Sequence, residues 1–540
     1  MITGIGGLLI TILLALFGLV GYFSVAKKAA EEAKAASQQW FDDNLQNLHS
    51  KIRGLEQAVE QAQQKIDTSV TGVELASNAA IAHIQKGLNA PNEQAQPISP
   101  AEQQALHQSV EQIREKPEAS YSFDDWNKRA FEAYQSEQYE DAALYWKRAS
   151  SIPNAGAAET AQALFNRGVA LNKLNRLDEA CSTYKQLIDT YSPDNTPSIR
   201  RLVAEAMINM GFTLGTMHKL AEEVAVYEQL IAVYSAENTS AIREQVVNAL
   251  FNKAATFGQM EKPAEEIAAY EHLIAAYSPG NSPAIRKQVA RSLFNKGIIL
   301  LQMQKLEEAV STYDQLIVMY APDNIPAMRE LVANAMFSNG IALSQMQKPE
   351  KAIATYEELI AAYSSDTAPT IRELIAKAMF NKGVVLGRLQ KPEAAIATYD
   401  QMIAMYSADA SSVIREQVVF ALNGKGFARL MEAKKAWNNS GSAQALLHEA
   451  QSDLRAALKE RPNHGMPRGN LAYVQWLLGD PQSAEISFRA ALAADQDGGE
   501  ELYHGTMKDI AQHTILDDSA FRDMVERLWT EYQAAQSSSN

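Results

Sequence analysis

Few residues in this chain have the type and spacing that chemistry requires. The nine histidines, His49, His83, His107, His218, His272, His448, His464, His504 and His513, are scattered. None stands at zinc-ligand spacing to another histidine or to Cys181, the single cysteine. One thiol also excludes an internal disulfide framework. Asn423–Gly424–Lys425–Gly426 brings glycines to a lysine, but without the spacing of a phosphate-binding loop. No Gly-x-Ser-x-Gly nucleophile turn is present. Nothing meets the requirements of a catalytic site, so no enzymatic activity, cofactor or metal is expected. Nucleic acid is not an expected partner either. The chain carries 49 basic against 64 acidic side chains, net −15, whereas nucleic acid calls for a basic surface.

One pattern is suited to recognition. Asn166, Asn209, Asn252, Asn295 and Asn381 recur in register, with Ser338 in the row once. Directly before them stand Phe165, Ile208, Phe251, Phe294, Phe337 and Phe380. An amide offers a donor and an acceptor and can pair with an extended peptide backbone whatever its sequence. Rings beside it would take the peptide's side chains. The alternative is packing, with asparagine bracing adjacent repeats and phenylalanine in the core.

These rows imply a repeat. Tyr184, Tyr227, Tyr270, Tyr313, Tyr356 and Tyr399 stand at a constant interval, as do Tyr191 to Tyr406 and Arg200 to Arg415. A small position reads Gly168, Gly211, Ala254, Gly297, Gly340, Gly383 and Gly426. Within one unit, Pro326 opens a helix with Met328, Leu331, Val332, Ala335 and Met336 on one face. Gln347–Lys348–Pro349 breaks it, and a second amphipathic helix carries Ala352, Ile353, Tyr356, Leu359 and Tyr363. Neither helix can bury its face alone, so units must stack. The small row lets the two helices of a unit approach closely. Cys181 falls where other units carry Val, Ile or Ala and reads as a buried apolar filler.

The flanks differ. Residues 2–26 carry no charge, enough to cross a ~30 Å hydrocarbon layer as a helix. Lys27, Lys28 and Lys34 follow it. We expect a transmembrane anchor over residues 1–27, in an inner or plasma membrane, with the bulk of the chain in the cytoplasm; the opposite insertion would place it in a periplasm. Residues 28–88 form a helical stalk. Within residues 41–73, Leu45, Ile52, Val59, Ile66 and Val73 alternate with Phe41, Leu48, Leu55 and Ala62 in heptads. That is the pattern of a parallel homodimer, the alternative being one amphipathic helix docked on the repeats or on the membrane. Residues 89–122 read as a linker with a short helix, capped by Ser99 and Glu102 around Pro100.

The repeat resembles the tetratricopeptide repeat family. The first unit matches through Trp126, Ala130, Ala142, Trp146, Ala149 and Pro153, the last through Leu471, Ala472, Gly479, Ala484, Phe488 and Ala491. The middle units keep the glycine, alanine and aromatic positions on a 43-residue period. The unit around Gly426 carries an insertion at residues 438–444. The resemblance implies an all-α, right-handed superhelical solenoid of about nine helix-turn-helix units over residues 123–495, with capping helices in residues 496–540. It also implies a scaffold or adaptor that binds a protein or peptide segment along the first helices. The competing readings are a structural spacer and a regulatory subunit of a membrane complex.

Overall fold

The computed structural model describes residues 45–89, 98–280, 282–438, 440–512 and 516–539. The expected anchor, residues 1–27, lies outside the described residues. Among the described residues no helix is long and apolar enough to cross a membrane. All regular elements described are helical, and the chain divides into two compact units, Met1–Glu237 and Asn238–Asn540.

In the first unit, α1 (Leu45–Asn89) and α2 (Pro100–Arg114) precede three helix pairs. These are α3 (Phe123–Gln135) with α4 (Tyr139–Ala149), α5 (Ala157–Lys173) with α6 (Leu177–Tyr191), and α7 (Pro197–Thr216) with α8 (Leu220–Tyr234). The start of α2 is set by the expected capping box: the Glu102 amide donates to Ser99 Oγ at 3.3 Å, and the Ser99 amide to Glu102 Oε2 at 2.8 Å. α1 is not a free stalk over its whole length. Ala80, Ile84 and Leu88 are buried against the unit, so the docked alternative holds for its last turns.

The second unit holds six pairs: α9 (Ser240–Gln259) and α10 (Pro263–Tyr277), α11 (Pro283–Gln302) and α12 (Leu306–Tyr320), α13 (Pro326–Gln345) and α14 (Pro349–Tyr363), α15 (Pro369–Arg388) and α16 (Pro392–Tyr406), α17 (Ser412–Lys435) and α18 (Ser440–Glu460), α19 (Gly465–Leu477) and α20 (Pro481–Leu492). α21 (Gly499–Gln512) and α22 (Ser519–Ser539) close it. The insertion expected at residues 438–444 is absorbed by helix: α17 runs longer than its counterparts and α18 starts at Ser440.

Each residue row has a physical task. A Cβ on Gly168, Gly211, Gly297, Gly340 or Gly383 would lie 2.4 Å from the ring of Tyr184, Tyr227, Tyr313, Tyr356 or Tyr399 respectively, in the same repeat. The small row therefore makes room for a buried tyrosine, not merely for a close helix approach. The second tyrosine row pairs with the arginine row. Arg286 lies over the Tyr320 ring at 5.2 Å and bonds Asp323 at 2.5 Å; Arg329 repeats this with Tyr363 and Asp366 at 5.6 and 2.6 Å. Arg200 does so in the first unit with Tyr234 and Glu237. Each clamp ties the start of a first helix to the end of its second. The turn between the two helices puts one residue in the left-handed region, at Asn175, His218, Glu261, Gln304, Gln347 and Gln390. His218 is thus a turn residue. Cys181 is half-buried, and burial pushes its thiol up.

Candidate functional site

The asparagine row begins on the first helices at the junctions between repeats. Asn295 Nδ2 donates to the hydroxyl of Tyr270, in the preceding repeat, at 3.0 Å. Asn209 and Asn381 stand within reach of the Tyr184 and Tyr356 hydroxyls in the same way. Asn252 is half-buried on α9. The next residue reinforces the junction: Lys296 reaches Glu271 at 2.8 Å, Lys382 reaches Glu357 at 2.8 Å, and Asn339 reaches Asp314 at 2.6 Å. Ser338, shorter than asparagine, faces the Tyr313 hydroxyl from the same position, but that buried hydroxyl makes no hydrogen bond of ordinary geometry among the described residues. Asn295 thus spends one donor on the scaffold and keeps a carbonyl oxygen and a second N–H.

The phenylalanine row is partly core. Phe165 and Phe251 are buried, whereas Phe294, Phe337 and Phe380 are half-buried. Each ring lies 5.7–6.2 Å from the tyrosine of its own repeat, so the row shares its surface between packing and the outside.

The ladder lapses at both ends, for reasons visible in the chain. Before Asn166 the aromatic is Trp146, which has no hydroxyl and donates its Nε1 to Asn127 at 3.1 Å. Asn166 instead exchanges two hydrogen bonds with Gln85 of α1, at 2.8 and 2.9 Å. At the other end the row reads Asn423–Gly424 where phenylalanine and asparagine stood before. Tyr399 therefore has no amide opposite it; a Cβ on Gly424 would come within 2.8 Å of its ring.

At that second lapse a cavity of about 660 Å³ opens, within the usual range of ligand pockets. Phe380, Phe420, Phe427, Met431, Met466 and Leu502 give it apolar walls, and Tyr399, Asn423 and Asn470 a polar floor. Asn470 Nδ2 donates to Asn423 Oδ1 at 2.9 Å, a bond that leaves the Asn423 amino group and the Asn470 carbonyl unused. Arg388 stands on one rim, Asp497 and Glu501 on the other. His464 is buried behind this wall. Its ring meets Phe420 edge-on at 5.6 Å, and Nδ1 lies 3.3 Å from Asp497 Oδ2; burial pushes the imidazole down, toward its neutral form. It positions two lining residues and is not itself a ligand group.

Of the ten expected groove residues, Phe380 lines this cavity. Asn423, Asn470, Phe420, Phe427, Met466, Leu502 and Gln85 were not expected. The signal for the first two was the broken row at 423–424. Among the described residues no cluster of His, Cys, Asp and Glu could hold a metal ion.

Family models described as tetratricopeptide repeat match residues 162–193, 290–320, 337–410 and 432–499. No curated protein matches the chain. Among solved structures, the apo form of RapI is similar at 12% identity, covering 75% of this chain and 98% of its own, with a TM-score of 0.38. Aspartyl phosphate phosphatase F from Bacillus subtilis is similar at 12% identity, covering 73% and 94%, with a TM-score of 0.34. YrrB, described as a TPR protein with an unusual peptide-binding site, is similar at 18% identity, covering 41% and 92%, with a TM-score of 0.27. No score reaches 0.5, too low to carry a partner or an activity across. The chain carries tetratricopeptide repeats over the four matched stretches, in an all-helical fold.

Proposed function

We propose that the chain is a membrane-anchored scaffold that captures a segment of a partner protein in the cavity between α15, α17, α19 and α21. The observation that carries this reading is the lapse of the ladder at Asn423–Gly424, beside which an apolar cavity opens with the amides of Asn423 and Asn470 in its lining. Tetratricopeptide repeat proteins are in general protein-interaction scaffolds, which sets the ligand class. The fitting ligand is a protein segment that inserts one large apolar side chain and offers a peptide group to Asn423 and Asn470. Asn252, Asn295 and Asn381, on the first helices of the same unit, extend the contact.

Residues 2–26 hold the scaffold to an inner or plasma membrane, with the repeats in the cytoplasm, and the heptads of residues 41–73 pair two copies. Leu55 and Val70, 56% and 47% exposed on a single α1, suit such pairing. A reporter fused after Asn540 should be active on the cytoplasmic side only. The capture itself is tested by replacing Met466, 41% exposed at the cavity, with a photoreactive residue and irradiating native membranes. The same residue at Ile486, 64% exposed on α20, is the control. Crosslinks through position 466 should map to one short segment of one protein. The same products from both positions, or none from 466, contradict the reading.

A further inference from the structure

The first unit carries a second docking site, already filled. The last turns of α1 lie on α2 and α3 with Ala80, Ile84 and Leu88 buried. From the same turns Gln85 reaches across to α5, where it and Asn166 exchange donor and acceptor at 2.8 and 2.9 Å. Gln162 adds a third bond to Asn166 at 3.1 Å. Asn166 is fully buried, and it belongs to a row whose other members serve the repeat scaffold. It is free for Gln85 because Trp146 offers no hydroxyl.

We propose that this face of α2, α3 and α5 is a docking site for an amphipathic helix, that α1 residues 77–88 are its tethered occupant, and that a partner helix of the same chemistry exchanges with them. That chemistry is apolar residues at i, i+4 and i+8 with a carboxamide at i+5, as in Ala80, Ile84, Leu88 and Gln85. Three features separate α1 from a permanent core helix. Its central contact is an amide pair, which water replaces at modest net cost on release. The Ser77 hydroxyl is buried without a partner among the described residues, a defect that release repairs. The preceding turns expose Leu75 (66%) and Val70 (47%), so among the described residues only the last turns of α1 are packed on the unit. A short tether presents it at roughly millimolar effective concentration, which keeps the site closed to weak competitors. This inference does not depend on the cavity near Tyr399.

The test uses the full chain and a fluorescent peptide of residues 73–89. The wild type should bind it weakly. The double variant Ile84→Asp with Leu88→Asp, which expels α1, should bind it at least tenfold more tightly, and adding Asn166→Leu should reverse that gain. A folded double variant with no gain overturns the proposal, as does a gain that survives Asn166→Leu. Should the double variant unfold, hydrogen exchange on the wild type decides: amides of residues 77–88 should exchange at least tenfold faster than those of α5. Equal protection makes α1 core and ends the proposal.

Discussion

The most demanding prediction concerns Lys434. This side chain is fully buried, with Nζ 2.6 Å from Asp518 Oδ2 and 2.6 Å from the Tyr473 hydroxyl. It ties α17 to α19 and to the start of α22, the helix that covers the last repeat. Lys434→Met keeps the volume but strands the Asp518 carboxylate in the interior. Breaking a buried pair from one side costs about 3–5 kcal/mol, whereas replacing both partners by apolar groups is often near neutral. Four kcal/mol is roughly a thousandfold in an equilibrium constant and a large part of the 5–15 kcal/mol that holds a typical domain together. Lys434→Met should therefore lower the stability of the second unit by that amount in a urea titration, with α22 the first helix to lose hydrogen-exchange protection. Lys434→Met combined with Asp518→Leu should recover most of the loss. A single variant costing under about 1 kcal/mol, or a double variant no better than the single, would refute this reasoning.

Three further expectations follow from individual side chains. Ser338→Asn should supply the amide that the Tyr313 hydroxyl lacks and stabilise by about 1 kcal/mol, a gain that must vanish in a Tyr313→Phe background. Burial pushes the Glu205 carboxyl up from 4.5 to about 7, Arg201 opposing it, so the folded state binds this proton more tightly than the unfolded one. The stability it contributes is complete below about pH 4.5 and is lost as pH rises through 7, by up to about 3 kcal/mol; urea midpoints at pH 5 and pH 8 should show that slope in the wild type and lose it in Glu205→Gln. Gly340→Ala should cost about 1–3 kcal/mol, because the new Cβ would sit 2.4 Å from Tyr356. Gly387→Ala, with no atom within 4 Å of the new Cβ, should instead gain about 1 kcal/mol of helix propensity, and equal melting temperatures for the two would contradict the packing account.

Periodic features were legible in the sequence because the scaffold is periodic. The tyrosine, arginine and glycine rows fixed the helix pairs, and Ser99, Pro100 and Glu102 fixed the start of α2. Most left-handed turn residues were not legible: glutamine or glutamate at that position has no local preference for it, and the turn is imposed by the helices on either side. A periodic row also implies one task in every repeat. The structure shows that a row changes task when its neighbour changes, as Trp146 frees Asn166 and Gly424 frees Tyr399. Gln85 is far from Asn166 in the chain and carries no periodic mark, so only the fold reveals their contact. α21, which supplies Glu501 and Leu502 to the cavity, lies beyond the last repeat, where periodicity has nothing to say.

The cavity near Tyr399 is proposed to hold a partner segment. Gly387 and Gly505 allow it to be filled without disturbing the scaffold, since a Cβ on either meets no atom within 4 Å. The decisive measurement is the affinity of the segment crosslinked at position 466 for the wild type, Gly387→Leu and Gly505→Leu, with thermal melting of the same samples. Filled cavities should weaken binding at least tenfold while the melting temperature holds or rises. Unchanged affinity in both folded variants would contradict the account and send the search for the partner surface elsewhere.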